Sequence, residues 1–145
     1  MKENVFIVPE GIEVIARGTI PRDVTKVVIP DTVIEIRDEA FNLCRALNSL
    51  VIPNTVTAIG NRAFECCSAL KTINIPDSIT SMDDTAFKGC SALKTINIPG
   101  SITSMGDCVF DDCTSLKCTN IPEGVPIGCC TIAKYSLFFY FYKYL

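Results

Sequence analysis

Two nearly identical stretches decide the fold of this chain: CSALKTINIPDSITSM at residues 67–82 and CSALKTINIPGSITSM at residues 90–105. They lie 23 residues apart and differ only at Asp77 and Gly100. Near-identical segments at a fixed offset are the signature of a repeat protein, in which each unit buries its apolar side chains against its neighbours. The sequence therefore predicts a solenoid rather than a closed globular core.

Prolines mark the repeat through most of the chain. They recur every 23 residues, at Pro30, Pro53, Pro76, Pro99 and Pro122. Aligning the repeats on these prolines gives eight apolar columns, which in the third repeat are Ile79, Met82, Ala86, Phe87, Cys90, Leu93, Ile96 and Ile98. A side chain that recurs once per turn stacks on its own copy in the next turn, so the columns predict a continuous core.

The segment before each proline is predicted to form a short strand. Residues 93–99, Leu-Lys-Thr-Ile-Asn-Ile-Pro, alternate apolar and polar positions and are rich in β-branched side chains. Strands of successive turns are expected to pair in parallel, about 4.8 Å apart, and to end at the proline, which has no N–H to donate. The Ala-Phe-x-x-Cys block, as in residues 86–90, predicts a helical or 3₁₀ turn on the opposite wall. The fold class is thus an α/β-type repeat solenoid.

The regularity of the repeat divides the chain into three parts. Residues 1–29 are predicted to be an N-terminal cap and first degenerate repeat, residues 30–122 four 23-residue repeats, and residues 123–145 a degenerate repeat with an aromatic tail. The tail, YSLFFYFYKYL at residues 135–145, has three interpretations. It covers the open end of the core as a strand or helix, it is a truncated or frame-shifted repeat, or it anchors the chain to a membrane or partner.

Composition excludes several classes of function. The net charge of −3 argues against nucleic-acid binding, which depends on many Lys and Arg contacts to phosphate. No apolar run of about eighteen residues is present, so no membrane span is predicted. The N-terminal apolar run, residues 5–8, is too short for a signal-peptide core. These features lead us to expect a cytoplasmic protein.

The repeat unit resembles the leucine-rich repeats of the BspA-like type. The resemblance lies in residues 75–80, Ile-Pro-Asp-Ser-Ile-Thr, followed by Ala86-Phe87, Cys90, Leu93 and Ile96. It implies an open, curved solenoid with a parallel sheet on its concave side. Family members are mostly protein-binding, and several are bacterial or protist surface adhesins. In place of the Asn usual after the strand, the repeats carry hydroxyls that are expected to bond the turn backbone: Thr32, Thr55, Ser78 and Ser101.

Strand alternation predicts which side chains face outward from the sheet, and these form the candidate binding site. One row is Ser49, Thr72, Thr95 and Cys118, and the next is Val51, Asn74, Asn97 and Asn120. A basic row, Lys71, Lys94 and Lys117, lies just before them. From these rows we expect a flat, uncharged, hydrogen-bonding surface with a basic border that is suited to a protein or an acidic partner. The expected contacts are Lys71, Thr72, Asn74, Lys94, Thr95, Asn97, Lys117 and Asn120.

No constellation in the sequence predicts catalysis, a metal site or a cofactor. Histidine is absent, which removes the commonest general base and metal ligand. Four of the nine cysteines, Cys44, Cys67, Cys90 and Cys113, fall in one core column and are expected to be buried structural thiols. Cys118 is expected to be the most reactive thiol. The acids at Asp38-Glu39, Asp83-Asp84, Asp107 and Asp111-Asp112 fall in turns and are expected to form a solvated acidic wall.

The leading hypothesis is a non-enzymatic protein–protein interaction module. The alternative is a cell-surface adhesin that binds host or matrix proteins. A third hypothesis is a degenerate repeat array without a defined function. Because an open solenoid end leaves strand edges unpaired, end-to-end self-association is a further expectation. The partner itself is not indicated.

Overall fold

The computed structural model describes residues 2–126, with the side chains of residues 118–120 excepted. This part of the chain contains strands and turns and no helix. The strands are β1 (Val5–Ile7), β2 (Val14–Ile15), β3 (Lys26–Val28), β4 (Glu35–Ile36), β5 (Ser49–Val51), β6 (Ala58–Ile59), β7 (Thr72–Asn74), β8 (Ser81–Met82), β9 (Thr95–Asn97), β10 (Ser104–Met105) and β11 (Cys118–Asn120). The predicted aromatic tail lies outside the described residues.

The odd-numbered strands form the sheet that the sequence predicted. Pairing is parallel throughout, in the order β1-β3-β5-β7, and β9 pairs with β11. The register follows the repeat, because Ser49 faces Thr72 and Thr95 faces Cys118, each 23 positions further along. At the junction of the two pieces, the Lys94 N–H donates to the Lys71 carbonyl at 3.5 Å. Each repeat strand ends before its proline, as expected. We call the outward side of this sheet the strand face.

A second parallel sheet was not predicted. Its strands have two residues each and lie in the order β10-β8-β6-β4-β2. Each turn places one buried residue there, in the column Ile15, Ile36, Ile59, Met82 and Met105. The sequence identified this column as core, but two residues per turn are too few to show the alternation that marks a strand.

Phenylalanine rings form the centre of the core. Phe41, Phe64, Phe87 and Phe110 are fully buried and stack in sequence. Their ring centroids are 4.8, 5.0 and 5.8 Å apart, and their planes lie within 20° of parallel. This spacing matches the distance between paired strands, so the stack and the sheets repeat with one common step.

The predicted helical or 3₁₀ turns on the wall opposite the strand face are wrong. The Ala-Phe-x-x-Cys blocks form successive turns whose N–H groups bond to the next repeat. The Phe41 N–H donates to the Ala63 carbonyl at 2.7 Å, and the Phe64 N–H donates to the Ala86 carbonyl at 2.8 Å. Residues with positive φ interrupt every turn of this wall: Glu39, Leu43, Arg62, Cys66, Thr85, Gly89, Cys108 and Asp112. A helix cannot continue through a left-handed residue, and these residues turn alternate N–H groups toward the neighbouring repeat.

The cysteine column is buried as predicted, and its thiols also make hydrogen bonds. The Cys67 Sγ lies 3.2 Å from the Phe41 carbonyl oxygen, and Cys90 makes the same 3.2 Å contact with Phe64. Cys113 repeats the contact with Phe87 at 3.1 Å. Each thiol thus ties its own turn to the phenylalanine of the turn before, which a small apolar residue cannot do.

The hydroxyls that follow the strands bond backbone between turns, as expected at three of the four positions. The Thr55 hydroxyl donates to the Val33 carbonyl at 2.6 Å, and the Ser101 hydroxyl donates to the Ile79 carbonyl at 2.7 Å. Thr32 donates to the Ile12 carbonyl at 2.9 Å. Ser78 differs, since its buried Oγ has no hydrogen-bond partner among the described residues.

An Asp/Asn ladder runs along the turns that the sequence assigned to a solvated acidic wall. Asp38 Oδ1 accepts from the Asn61 N–H at 2.8 Å, Asn61 Oδ1 accepts from the Asp84 N–H at 3.2 Å, and Asp84 Oδ1 accepts from the Asp107 N–H at 2.7 Å. These side chains are partly exposed, yet they link successive turns. The ladder therefore adds a stabilising role to the acidic wall.

Phe87→Ala should destabilise the protein by about 3–5 kcal/mol, because it removes a fully buried ring and both of its stacking contacts. Urea unfolding monitored by circular dichroism measures the change. Asp77→Ala, at an exposed position where the next repeat has Gly100, is the control and should shift the midpoint little. Equal effects of the two substitutions would contradict the assignment of the core columns.

Gly60→Ala should also destabilise, by about 1–3 kcal/mol, because an added Cβ would lie 2.6 Å from Asp38 Oδ1 and 2.7 Å from the Asp38 nitrogen. Backbone atoms cannot move aside without disturbing the ladder. Gly100→Ala is the matched control, since nothing lies within 4 Å of its added Cβ. It should be neutral or slightly stabilising. The same urea measurement compares the two, and a Gly60→Ala protein as stable as Gly100→Ala would contradict the packing described.

Candidate interaction surface

The strand face exposes the side chains predicted for it. Thr72, Asn74, Thr95 and Asn97 are exposed, while the alternate residues Ile73 and Ile96 are buried. Asn120 and Cys118 lie in β11 in register with this pattern, but their side chains lie outside what the structure describes. Whether any of these residues contacts a partner stays a prediction.

The N-terminal half of the strand face carries four exposed apolar side chains, of which the outward rows predicted from the sequence include only Val51. Ile7 is 67% exposed and Val51 is 72% exposed. Val28, between them in the same row, is 43% exposed, and Val5 is 44% exposed. The signal was present in the alternation of the first two strands, but these lie in the region assigned to the cap. The expectation of a uniformly hydrogen-bonding surface is therefore wrong for β1, β3 and β5.

A shallow groove of about 500 Å³ crosses the boundary between the apolar and polar halves. Val28 and Val51 line its apolar side, and Thr72 and Asn74 line its polar side. Lys26 and Asp31 also contribute to its walls. A groove that offers apolar surface together with an amide, a cation and a carboxylate is suited to a polypeptide segment rather than to a small, fully enclosed ligand.

The lysine row borders the polar half of the strand face. Lys71, Lys94 and Lys117 are exposed and occupy equivalent positions in three successive turns. Their backbones are bonded in series, with the Lys71 carbonyl accepting from Lys94 and the Lys94 carbonyl accepting from Lys117 at 3.1 Å. Within residues 2–126, none of the three forms an ion pair with a carboxylate. The row is thus a strip of uncompensated positive charge on a chain whose net charge is −3.

The opposite wall carries a groove of about 400 Å³ with a charged lining that includes Asp38, Arg62 and Asp84. Lys88 there is paired with Asp111, with Nζ and Oδ2 3.1 Å apart, and the hydrogen bond to Asp111 raises the pKa of Lys88. Burial and the neighbouring Asp38 and Asp84 raise the pKa of Asp83. No group of three or more Cys, Asp or Glu side chains among the described residues is arranged to hold a metal ion.

Burial governs the chemistry of the cysteine column. It raises the pKa of Cys44 to about 11 and that of Cys67 still further. A hydrogen bond with Cys113, together with burial, raises the pKa of Cys90 well above its usual value. Since the thiolate is the nucleophile and the metal ligand, these thiols are inert structural groups.

No part of residues 2–126 forms a helix long and apolar enough to cross a membrane. The chain matches the BspA type leucine rich repeat region, in six copies, over residues 21–137. A search among curated proteins found no match.

Three solved structures are similar to this chain. A leucine-rich repeat protein from Bacteroides ovatus matches with a TM-score of 0.81 and 33% identity over 86% of this chain and 36% of that protein. A leucine rich cell surface protein from Faecalibacterium prausnitzii matches with a TM-score of 0.73 and 31% identity over 87% of this chain and 32% of that protein. The T. pallidum leucine rich repeat protein has a TM-score of 0.67 and 28% identity over 88% of this chain and 52% of its own. The chain thus spans about a third to a half of their lengths.

The buried thiols predict a loss of stability at alkaline pH. Thiols in the unfolded chain ionise near 9.0, whereas that of Cys44 in the fold ionises at about 11. Between these values the unfolded chain binds fewer protons than the folded chain, so the free energy of unfolding falls as pH rises. The slope for each buried thiol is up to about 1.4 kcal/mol per pH unit.

Urea unfolding under reducing conditions at pH 8, 9.5 and 10.5 measures this slope. Cys67→Val is the control, because it removes one buried thiol and should flatten the decline. Identical slopes for the wild-type and Cys67→Val proteins would contradict the prediction.

Proposed function

The chain belongs to the BspA-type leucine-rich repeat family, and from that premise we propose that it is a non-enzymatic protein–protein interaction module that binds through the strand face. One observation carries the proposal: the strand face presents a groove, exposed apolar side chains and a lysine row that forms no ion pair within residues 2–126. The stacked core behind it holds these side chains at a fixed spacing. A preformed surface of this kind binds without a large ordering cost.

The proposed contacts are the exposed polar side chains of β7 and β9, Asn120 of β11 and the lysine row. Thr72, Asn74, Thr95 and Asn97 alternate with core residues, so changing them alters the surface with little effect on packing. Their amides and hydroxyls suit main-chain or polar side-chain contacts to a polypeptide. Asn120 and Lys117 extend the same rows by one turn.

Replacing Asn74 and Asn97 with Arg should abolish capture of the partner, because two bulky cations then stand in the middle of the contact surface. Affinity purification from the source cells, read by quantitative mass spectrometry, compares the double variant with wild type. Thr57→Arg is the matched control, since Thr57 is exposed in the segment that leads into β6 of the second sheet. Unaltered recovery of every partner by the double variant would refute the proposal.

A second candidate function is a cell-surface adhesin for host or matrix proteins. One observation favours it: the Faecalibacterium prausnitzii structure that this chain resembles over 87% of its length is described as a cell surface protein. Location in the cell separates the two candidates. Antibody labelling of intact, unpermeabilised cells supports the adhesin, whereas labelling only after permeabilisation supports an intracellular module.

A further inference from the structure

The strand face changes character once along the solenoid, between β5 and β7. Before that point the outermost row is apolar, with Ile7, Val28 and Val51; after it, the same row holds Asn74 and Asn97. The row that borders the strand face, three residues before the outermost row, changes at the same turn, because Asn48 occupies the position that Lys71 holds in the next repeat. The face therefore consists of an apolar strip, defined as Ile7, Val28 and Val51, beside the lysine row.

The fold does not require the apolar strip. The equivalent positions in β7 and β9 are asparagines, and the one in β7, Asn74, is the register partner of Val51. Yet Ile7 and Val51 keep about two-thirds or more of their surface in water, at 67% and 72% exposure. Covering exposed apolar surface is favourable by about 25 cal/mol per Å². Since packing within residues 2–126 does not account for the strip, it is suited to burial against another molecule.

The lysine row provides a second feature that a ligand could recognise, its positive charge. Its three ammonium groups come from turns about 4.8 Å apart, and their mutual repulsion is not relieved by any carboxylate pair in the described part of the chain. A ligand with two or three carboxylates would neutralise it. Charge complementarity of this kind gives specificity and accelerates association.

We propose that the strand face binds an extended segment of a protein partner that carries an apolar cluster followed by carboxylates. This inference rests on the function proposed above and specifies the chemistry of the partner. The turn of Val28 and the turn of Lys94 are three strand spacings apart, or about 14 Å, and Lys94 lies three residues, or about 10 Å, before Asn97, which shares the row of Val28. The two points are therefore about 17 Å apart, a distance that an extended chain covers in about five residues. The apolar and acidic groups of the partner are therefore about five residues apart.

A protein segment fits this surface better than a nucleic acid does. The strip beside the lysines is aliphatic, and it has no exposed aromatic ring on which a base could stack within the described residues. Three lysines on a chain of net charge −3 also provide few phosphate contacts. The experiment below nevertheless includes an oligonucleotide.

Selection from a phage-displayed dodecapeptide library on the immobilised full chain tests the proposal. Enriched peptides should combine an apolar cluster with Asp or Glu about five residues away. Synthetic copies of these peptides should lose about tenfold or more in affinity with the Lys71→Glu/Lys94→Glu variant, because two attractions become repulsions. Val51→Ser should weaken binding several-fold, and Arg37→Glu, a charge reversal near the second sheet, should leave it unchanged.

Several outcomes would overturn the proposal: no enrichment, enrichment of peptides without acids, or affinity unaffected by the lysine reversals. Binding of a dT12 oligonucleotide in preference to every peptide would assign the face to nucleic acid instead. The proposed binding function and the proposed chemistry of the partner can fail independently. If Asn74→Arg/Asn97→Arg abolishes partner capture while the lysine reversals change nothing, the strand face binds proteins and only the proposed chemistry fails. If neither set matters, both fail.

Discussion

From Pro30 onward, a constant step of 23 residues between turns is the constraint on which the rest of the structure depends. It places each phenylalanine ring on the next, each thiol under the carbonyl of the preceding turn, and each strand in register with its neighbour. The first turn has a step of 21 residues, and it keeps both sheets in register, with Val5 paired to Lys26 and Val14 paired to Glu35. The phenylalanine stack is looser where the repeat is less regular, because the distance between ring centroids grows to 5.8 Å between Phe87 and Phe110. That is the turn in which Val109 replaces the alanine of earlier repeats.

The wall of turns shows how the chain satisfies its backbone without helices. Left-handed residues such as Glu39, Arg62 and Thr85 cost about 1 kcal/mol or more each. In return, alternate N–H groups reach the next turn, as from Phe64 to Ala86. A helix would satisfy its own N–H groups internally and leave the turns joined only by side chains. The cost of the unusual backbone is thus offset by cohesion along the solenoid.

Period and column identity predicted the core, the first sheet, its register and the family, because stacking repeats the same contacts in every turn. Three features of the structure could not be predicted from period and column identity. The two-residue strands, such as Ser81–Met82, are too short for a pattern, and positive φ at Arg62 or Cys66 leaves no trace in residue type. The Asp/Asn ladder depends on side-chain rotation at Asp38 and its neighbours, which spacing alone does not determine. On the strand face, assigning residues 1–29 to a cap left out Ile7 and Val28, so Val51 was predicted to face outward without the rest of the apolar strip.

Duplication and selection for binding could each explain why the polar half of the strand face has the same residues in successive repeats. Duplication explains why residues 67–82 and 90–105 share surface as well as core, since a copied segment carries both. It does not explain which residues are retained in the fifth turn, at residues 117–120. There, Cys118 and Thr119 have diverged from the repeat, even at a core position, while Lys117 and Asn120 still match it. Stacking places no demand on an exposed lysine, so duplication alone does not account for Lys117. Divergence in this turn reaches the strand face too, because Cys118 replaces the threonine found at Thr72 and Thr95. Duplication therefore accounts for the lattice, and binding at the lysine row is the proposal that would account for the lysine.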